Sequence, residues 1–344
     1  MLNQRLNYNY SNNKRKNVAK ICKVVYDWIT ISSRYSDYGM SLDDVLENVF
    51  QVSQTKNLIS GTTWTNGMVV NNDSKRALWI SANDDGYMKI KVCPPKFLKG
   101  NNVEEASIKD TLDLFTTLSN MVGYDLGGTS KVDRLDITHT AMTEYSPYAY
   151  YPYLCNQTGS ENKRWLLDST LYYGTSKAKQ KKFYDKVRDT QKTGGKQQIP
   201  IQYQGTNMTR FEVCLGTNKR VSDVLGGVAS LGHLFEEEYI VKLHNYWRSE
   251  YDIIPKETEI QTQFNKGMKQ KEVQEEIIRA GLSALGRLQV EEAIERASQM
   301  GSLSYSAKSR ARQNLLKPFE DRAVKNDLIE ELDTKMFGFE PKWD

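Results

Sequence analysis

Residues 170–189 read TLYYGTSKAKQKKFYDKVRD. The pattern predicts two short strands joined by a polar turn. The first covers Thr170–Gly174 and ends on a glycine that permits the turn, and the second covers roughly Lys181–Val187. Side chains alternate across a strand, so Lys182, Tyr184 and Lys186 fall on one face and Phe183 and Val187 on the other. A phenol between two ammonium groups suits an anion, and suits a tyrosine oxygen that attacks one. With a pKa of about 10, such a phenol needs nearby positive charge or a metal to act as a nucleophile at neutral pH. The plainer alternative is a surface hairpin with solvated lysines.

Outward from this hairpin, charge is uneven. The chain has 344 residues and a net charge of +4. Residues 226–344 hold 17 Lys+Arg against 21 Asp+Glu, net −4, so residues 1–225 hold 30 against 22, net +8. The excess peaks at Lys177, Lys179, Lys181, Lys182 and Lys186, an electrostatic footprint for a polyanion. Hydrophobic content of 39% and charged content of 26% fit a globular protein. No apolar run approaches the ~20 residues of a membrane span, and the N-terminus lacks a signal-peptide core. The cysteines, Cys22, Cys93, Cys155 and Cys214, form no C-x-x-C pair and read as free thiols of a reducing cytosol.

Before the hairpin, residues 1–20 read as a basic, disordered arm. Ile21–Ser32 predicts the first core strand, Ser41–Gln51 a helix, and Arg76–Ser81 with Tyr87–Cys93 a pair of strands turned at Asn83–Gly86. Val103–Val122 carries a helical stripe. Lys131–Ala141 predicts a strand with Arg134, Asp136, Thr138 and Thr140 on one face and His139 on the other. An Asp inside a strand needs a reason; a buried ion pair with Arg134 or Arg210 is the simplest. Met142–Asn156 is dense in tyrosine, either a base-stacking surface or ordinary packing.

After the hairpin, Thr193–Gln198 reads as a flexible link. Thr209–Leu215 predicts a strand with Arg210, Glu212 and Cys214 on one face. It repeats the form Arg-apolar-acid-apolar of residues 134–137. Were the two strands neighbours, the carboxylates would converge as Mg²⁺ or Mn²⁺ ligands. Beyond Leu225 the pattern is helical: Gly232–Glu250, Lys271–Leu282, Gln289–Met300, Ser306–Leu316 and a final acidic piece at Asp327–Asp333. The third and fourth form a helical hairpin or, with Lys308, Arg310 and Arg312, a helix-turn-helix-like DNA contact.

RLDIT at 134–138, LYYG at 171–174, KKFYDK at 181–186 and RFEV at 210–213 occur in an order and spacing that resembles the rolling-circle replication initiators. These are the filamentous-phage gene II/X replication proteins and related plasmid Rep proteins. MKIKVCPPKFLKGNNV at 88–103 is similar to the phage members' segment before the same region. The resemblance covers roughly 75–225.

The resemblance implies an HUH-like or Rep-type endonuclease core, α+β with a central, mostly antiparallel sheet, over residues 21–225. A helical region follows over 226–344. It implies a metal-dependent single-strand endonuclease and strand transferase that nicks an origin, forms a 5′-phosphotyrosine link and later rejoins the strand. The nucleophile falls on Tyr184 with Lys186 beside it. Asp136 and Glu212 fall on the metal ligands, for Mg²⁺ or Mn²⁺. Lys177, Lys179, Lys181, Lys182, Arg134 and Arg210 would hold DNA. The implied partners are single-stranded or locally melted origin DNA and a host helicase and polymerase, with no membrane, in the cytoplasm of a bacterial host; a homodimer is open. Two departures stand out: Thr140 occupies the place of a second acid in plasmid members, and His139 stands alone where other relatives pair histidines. The competing expectation is a non-catalytic single-stranded DNA-binding protein.

Overall fold

The computed structural model describes residues 24–49, 55–59, 62–71, 73–74, 76–157, 163–192, 199–260, 262–321 and 323–337. The arm expected over 1–20, the link expected at 193–198 and Cys22 lie outside them. The protein is α+β, with antiparallel strand pairs and a run of helices toward the end of the chain. Its contacts gather into two units, each discontinuous in sequence. One comprises the described residues up to His139 with Val213–Arg248; the other comprises Thr140–Glu212 with the described part of Ser249–Phe339. Leu225, where composition suggested a boundary, falls inside the first unit.

In the first unit the strands are β1 (Val25–Arg34), β2 (Thr55–Ile59), β3 (Thr62–Asn71), β4 (Arg76–Asn83), β5 (Tyr87–Val92) and β6 (Lys131–Thr143, as far as His139). They lie in the order β2-β3-β4-β5-β1-β6, each antiparallel to its neighbour. The β4–β5 turn needs Gly86, whose φ is +85° and whose absent Cβ would sit 2.3 Å from Ser36 Oγ. Helix α1 covers Leu42–Val49 and α2 covers Ile108–Val122. The stripe at Val103 suggested an earlier start for α2. Ser107 and Asp110 form a capping box that fixes the first turn at Ile108 instead. Ile29, Ile31, Leu78, Ile80, Ile90, Leu118, Leu135 and Ile137 form the buried core.

In the second unit, β7 (Arg164–Leu167), β8 (Thr170–Tyr173), β9 (Lys179–Asp185) and β10 (Asn207–Leu215, as far as Glu212) follow the spatial order β10-β9-β8-β7. The end of β6 joins them, because Thr143 and Thr209 share a hydroxyl hydrogen bond of 3.0 Å. The β7–β8 turn has only two residues; Asp168 takes φ +52°, a conformation that Asp tolerates better than most residues. Helix α3 (Lys186–Lys192) follows β9 directly. Helix α4 is Asn218–Leu225, in the first unit, and α5 is Glu237–Asp252, whose last residues belong to the second. Then come α6 (Gln270–Leu285), α7 (Arg287–Gln299), α8 (Tyr305–Leu316) and α9 (Asp327–Phe337).

Phe183 on β9 stacks on Phe211 of β10 at 4.5 Å, and Tyr251 of α5 closes on both at 5.8 and 5.5 Å. That aromatic trio fixes which face of the hairpin is inside. Helices α7 and α8 form a hairpin over a small core of Leu282, Val290, Ile294, Leu316 and Phe319. Lys308 and Arg312 of α8 turn to Glu295 of α7, at 2.8 and 3.7 Å, while Arg310 is exposed.

Candidate functional site

Register places the site. Thr170 pairs with Tyr184, Leu171 with Phe183, and Tyr172 with Lys182. With Phe183 turned to the aromatic core, Lys182 and Tyr184 share the opposite face, as their spacing predicts. Across from them on β10, Phe211 also points inward, so Glu212 shares their face. Tyr184 Oη donates to Glu212 Oε2 at 2.9 Å, and Lys182 Nζ donates to Glu212 Oε1 at 2.6 Å. Tyr184 is 6% exposed and Glu212 4%.

Lys186 reaches the same place differently from expectation. The strand stops at Asp185, and Lys186 opens α3. Asp185 Oδ1 accepts the backbone N–H of Arg188 at 3.0 Å, so it caps the helix. Asp185 before K-V-R-D was the available signal, and the period-two reading through Val187 passed over it. Lys186 is fully buried, with Nζ 5.3 Å from the Tyr184 ring centroid and 3.5 Å from Asp189 Oδ2.

Burial works against a charge on Glu212. The Lys182 ammonium, its hydrogen bond, the Tyr184 hydrogen bond and the Lys186 charge outweigh that penalty and hold the carboxyl well below the usual carboxylate range. At neutral pH the site is therefore an ionised carboxylate that grips a tyrosine hydroxyl between two lysines. Arg210, one position along the same face of β10, is fully buried and donates Nε to Thr140 Oγ1 at 2.7 Å. A hydroxyl at position 140 thus receives a cation where an acid would have formed an ion pair.

The other cations separate into two kinds. Lys177 is exposed in the β8–β9 turn. Lys179 and Lys181 lie on the Phe183 side and meet Glu250 of α5 at 2.6 and 2.9 Å. Lys181 is 1% exposed, also donates to Gln157 Oε1 at 2.8 Å, and is pushed down in pKa by burial although Glu250 opposes this. These two lysines are engaged inside the second unit, and a run of alternating lysines carried no sign of it.

Asp136 belongs to the first unit. It is buried, and Arg134 two residues earlier donates to both its oxygens, Nε at 3.0 Å and Nη2 at 2.6 Å. The ion pair expected as the simplest reason for a strand Asp is present. The Arg134 guanidinium also lies 5.6 Å from the Trp28 ring. His139 is buried and meets Trp247 edge-on at 6.0 Å, with Glu105 4.0 Å from its Nδ1, a core position as its face suggested.

The oxygens expected to hold Mg²⁺ or Mn²⁺ already carry cations of the protein. Glu212 holds Lys182 and Tyr184, and Asp136 holds Arg134. Among the described residues no group of three His, Cys, Asp or Glu is placed to hold a metal ion. Each acid, taken by itself, is engaged by side chains of its own unit.

Of the tyrosines of 145–153, Tyr150 and Tyr151 are buried, Tyr148 and Tyr153 half-buried and Tyr145 exposed. Tyr151 is buried and donates to the carbonyls of Ser169 and Phe183 at 2.9 and 3.1 Å, which pins the hairpin from behind. Tyr150 donates to Glu331 of α9. Tyr173 is buried and its phenol is pushed up by burial. Cys93, Cys155 and Cys214 are buried and form no disulfide among the described residues. No described helix is long and apolar enough to cross a membrane.

No protein-family model matches the chain, and no curated protein matches it. Among solved structures, the di-domain ARO/CYC BexL from the BE-7585A biosynthetic pathway aligns at 10% identity. The alignment covers 67% of this chain and 96% of that one, with a TM-score of 0.20, too low to argue a shared fold.

Proposed function

We propose that the protein is a rolling-circle replication initiator that nicks one DNA strand through Tyr184 and later rejoins it, on an HUH-like or Rep-type core. The observation that carries this reading is the hydrogen bond from Tyr184 to an ionised Glu212 with Lys182 and Lys186 alongside. A carboxylate held this low is a weak base while Lys182 sits on it. An incoming phosphodiester competes for Lys182, and as that ammonium shifts to the phosphate, Glu212 gains proton affinity. The Tyr184 proton then passes to Glu212 and the phenolate oxygen bonds to phosphorus. The P–O3′ bond breaks, and the leaving oxygen takes a proton from water to become a 3′-hydroxyl. Lys182 stabilises the charge that develops on the phosphoryl oxygens, and Lys186, buried beside the Tyr184 ring, adds positive potential at the phenol. A phenolate is a better leaving group than an alkoxide, so the 3′-hydroxyl can reverse the step and circularise the strand.

The proposed partners are single-stranded or locally melted origin DNA, with a host helicase and polymerase in a bacterial cytoplasm. The proposed cofactor is Mg²⁺ or Mn²⁺, which would polarise the scissile phosphate when bound.

The test is covalent attachment. Wild-type protein and Tyr184→Phe are incubated with a labelled pool of random single-stranded 30-mers, in Mg²⁺, in Mn²⁺ and in chelator, and run on a denaturing gel. Wild type should give a DNA-linked band whose tryptic peptide contains Tyr184, and the variant should give none. Binding without any linked band in wild type leaves the non-catalytic single-strand binder. Equal bands from both proteins would move the nucleophile elsewhere. Attachment in chelator would remove the metal from the proposal.

A further inference from the structure

Beside the Tyr184 site the same sheet face changes character. Trp165 on β7 pairs with Tyr172 on β8, and Tyr172 pairs with Lys182 on β9. Residues directly opposite on antiparallel strands share a face, so Trp165, Tyr172 and Lys182 form one row. The next row is Leu167, Thr170 and Tyr184. Trp165 and Tyr172 stack at 4.2 Å between centroids with planes 11° apart. Trp165 Nε1 donates to the Gly174 carbonyl at 3.4 Å, which fixes the indole. Both rings are partly exposed, and Leu167 is 52% exposed. Among the described residues β7 is the last strand of its sheet, so no described strand lies beyond Trp165.

The face is therefore graded. Its outer edge is aromatic and apolar, and its inner end is cationic and phenolic. On this face Lys182 and Lys186 lie beside Tyr184, and Lys177 is exposed in the β8–β9 turn, so the inner end favours an anion. A nucleotide has this same division, an apolar planar base joined to a phosphate. Diagonal neighbours on a sheet face lie about 7–8 Å apart, which puts the Tyr172 ring within a nucleotide's reach of the Tyr184 oxygen.

We propose that Trp165 and Tyr172 form a stacking platform for a base of single-stranded DNA whose phosphate lies at Lys182 and Tyr184. The proposal rests on the reading of Tyr184 as acting on single-stranded DNA, and it replaces residues 145–153 as the base-stacking surface. Stacking on an aromatic ring tolerates any base, so the platform supplies affinity and placement while leaving sequence choice to other contacts.

Binding is measured in a Tyr184→Phe background, so that affinity is read without chemistry. The probes are fluorescein-labelled dT20 and a 20-mer of abasic units with the same phosphates. Trp165→Leu and Tyr172→Leu should each weaken dT20 binding about five- to hundred-fold, Trp165→Phe should restore most of it, and binding of the abasic strand should be weak and unchanged by these substitutions. Equal affinity for dT20 and the abasic strand would overturn the platform, as would a Trp165→Leu loss equal on both probes, which is the mark of a merely structural residue. If Trp165→Leu binds dT20 normally, the edge serves something else, such as a protein strand added beside β7. Covalent attachment in wild type is scored separately, so nicking can fail while the platform stands.

Discussion

Strands β6 and β10 carry the same four-residue form, Arg134-Leu135-Asp136-Ile137 and Arg210-Phe211-Glu212-Val213, yet the two acids meet different fates. Asp136 receives a two-pronged ion pair from the arginine of its own strand. Glu212 takes its hydrogen bonds from the neighbouring strand, from Lys182 and Tyr184, while Arg210 Nε goes to Thr140. An arginine two residues before an acid can reach it along one strand face, but the spacing does not oblige it to. What the adjacent strand presents decides the outcome. At β10 the hairpin presents a lysine and a tyrosine, and the carboxylate accepts from both. At β6 the local pair satisfies the carboxylate.

The comparison is most severely tested by taking away each acid's cation. Lys182→Met leaves a buried Glu212 with only the Tyr184 hydroxyl and the more distant Lys186. Breaking a buried pair from one side costs about 3–5 kcal/mol; with Lys182 21% exposed, about 3 kcal/mol of unfolding free energy should be lost. Arg134 is 39% exposed, and water screens its share of the attraction. Arg134→Met should cost about 1 kcal/mol. Urea titrations at pH 7 give both values, and equal losses would mean that the two acids are held alike after all.

Acid sharpens the same contrast. The folded-state pKa of Glu212 is depressed, burial notwithstanding, by Lys182, Tyr184 and Lys186. A depressed carboxyl contributes stability above its unfolded value, about 4.3, and loses it as pH falls through the folded value. Glu212→Gln should therefore be less stable than wild type at pH 7, and the gap should narrow steadily below about pH 4. A gap that stays constant down to pH 2 would show that the carboxylate's charge is not what stabilises the fold there.

Much of this was legible in the sequence, and the exceptions have physical causes. Period-two alternation gave the β8–β9 hairpin and the shared face of Lys182 and Tyr184, because a strand buried on one side leaves little choice of register. The helical stripes gave α6, α7 and α8 to within a few residues. Helix starts were harder to place. Ser107 acts through the reciprocal pair of its capping box and Asp185 through one hydrogen bond, and these override an apolar stripe or an alternation. Lysine partners were not legible at all. Lys179 and Lys181 looked like the solvated flank of a basic run, but Glu250 on α5 receives both, and nothing near residue 181 encodes a helix that arrives so much later in the chain.

That last miss divides the basic run into two testable halves with a smaller expected effect. Lys177 is exposed at the hairpin turn, where a phosphate can approach it without cost to the fold. Lys181 is buried against Glu250 and Gln157, and a phosphate could reach it only by breaking both contacts. If DNA binds this face, Lys177→Gln should leave stability within about 0.5 kcal/mol of wild type, as surface changes do, and should reduce the slope of log K against log salt by about 0.7 for a single strand. Lys181→Gln should do the reverse. It strands Glu250, so thermal stability should fall, while the salt slope measured on the remaining folded protein at low temperature should stay at its wild-type value. A reduced slope in Lys181→Gln would mean that this lysine leaves Glu250 to meet phosphate, and that the interior pairing is a resting arrangement which DNA replaces.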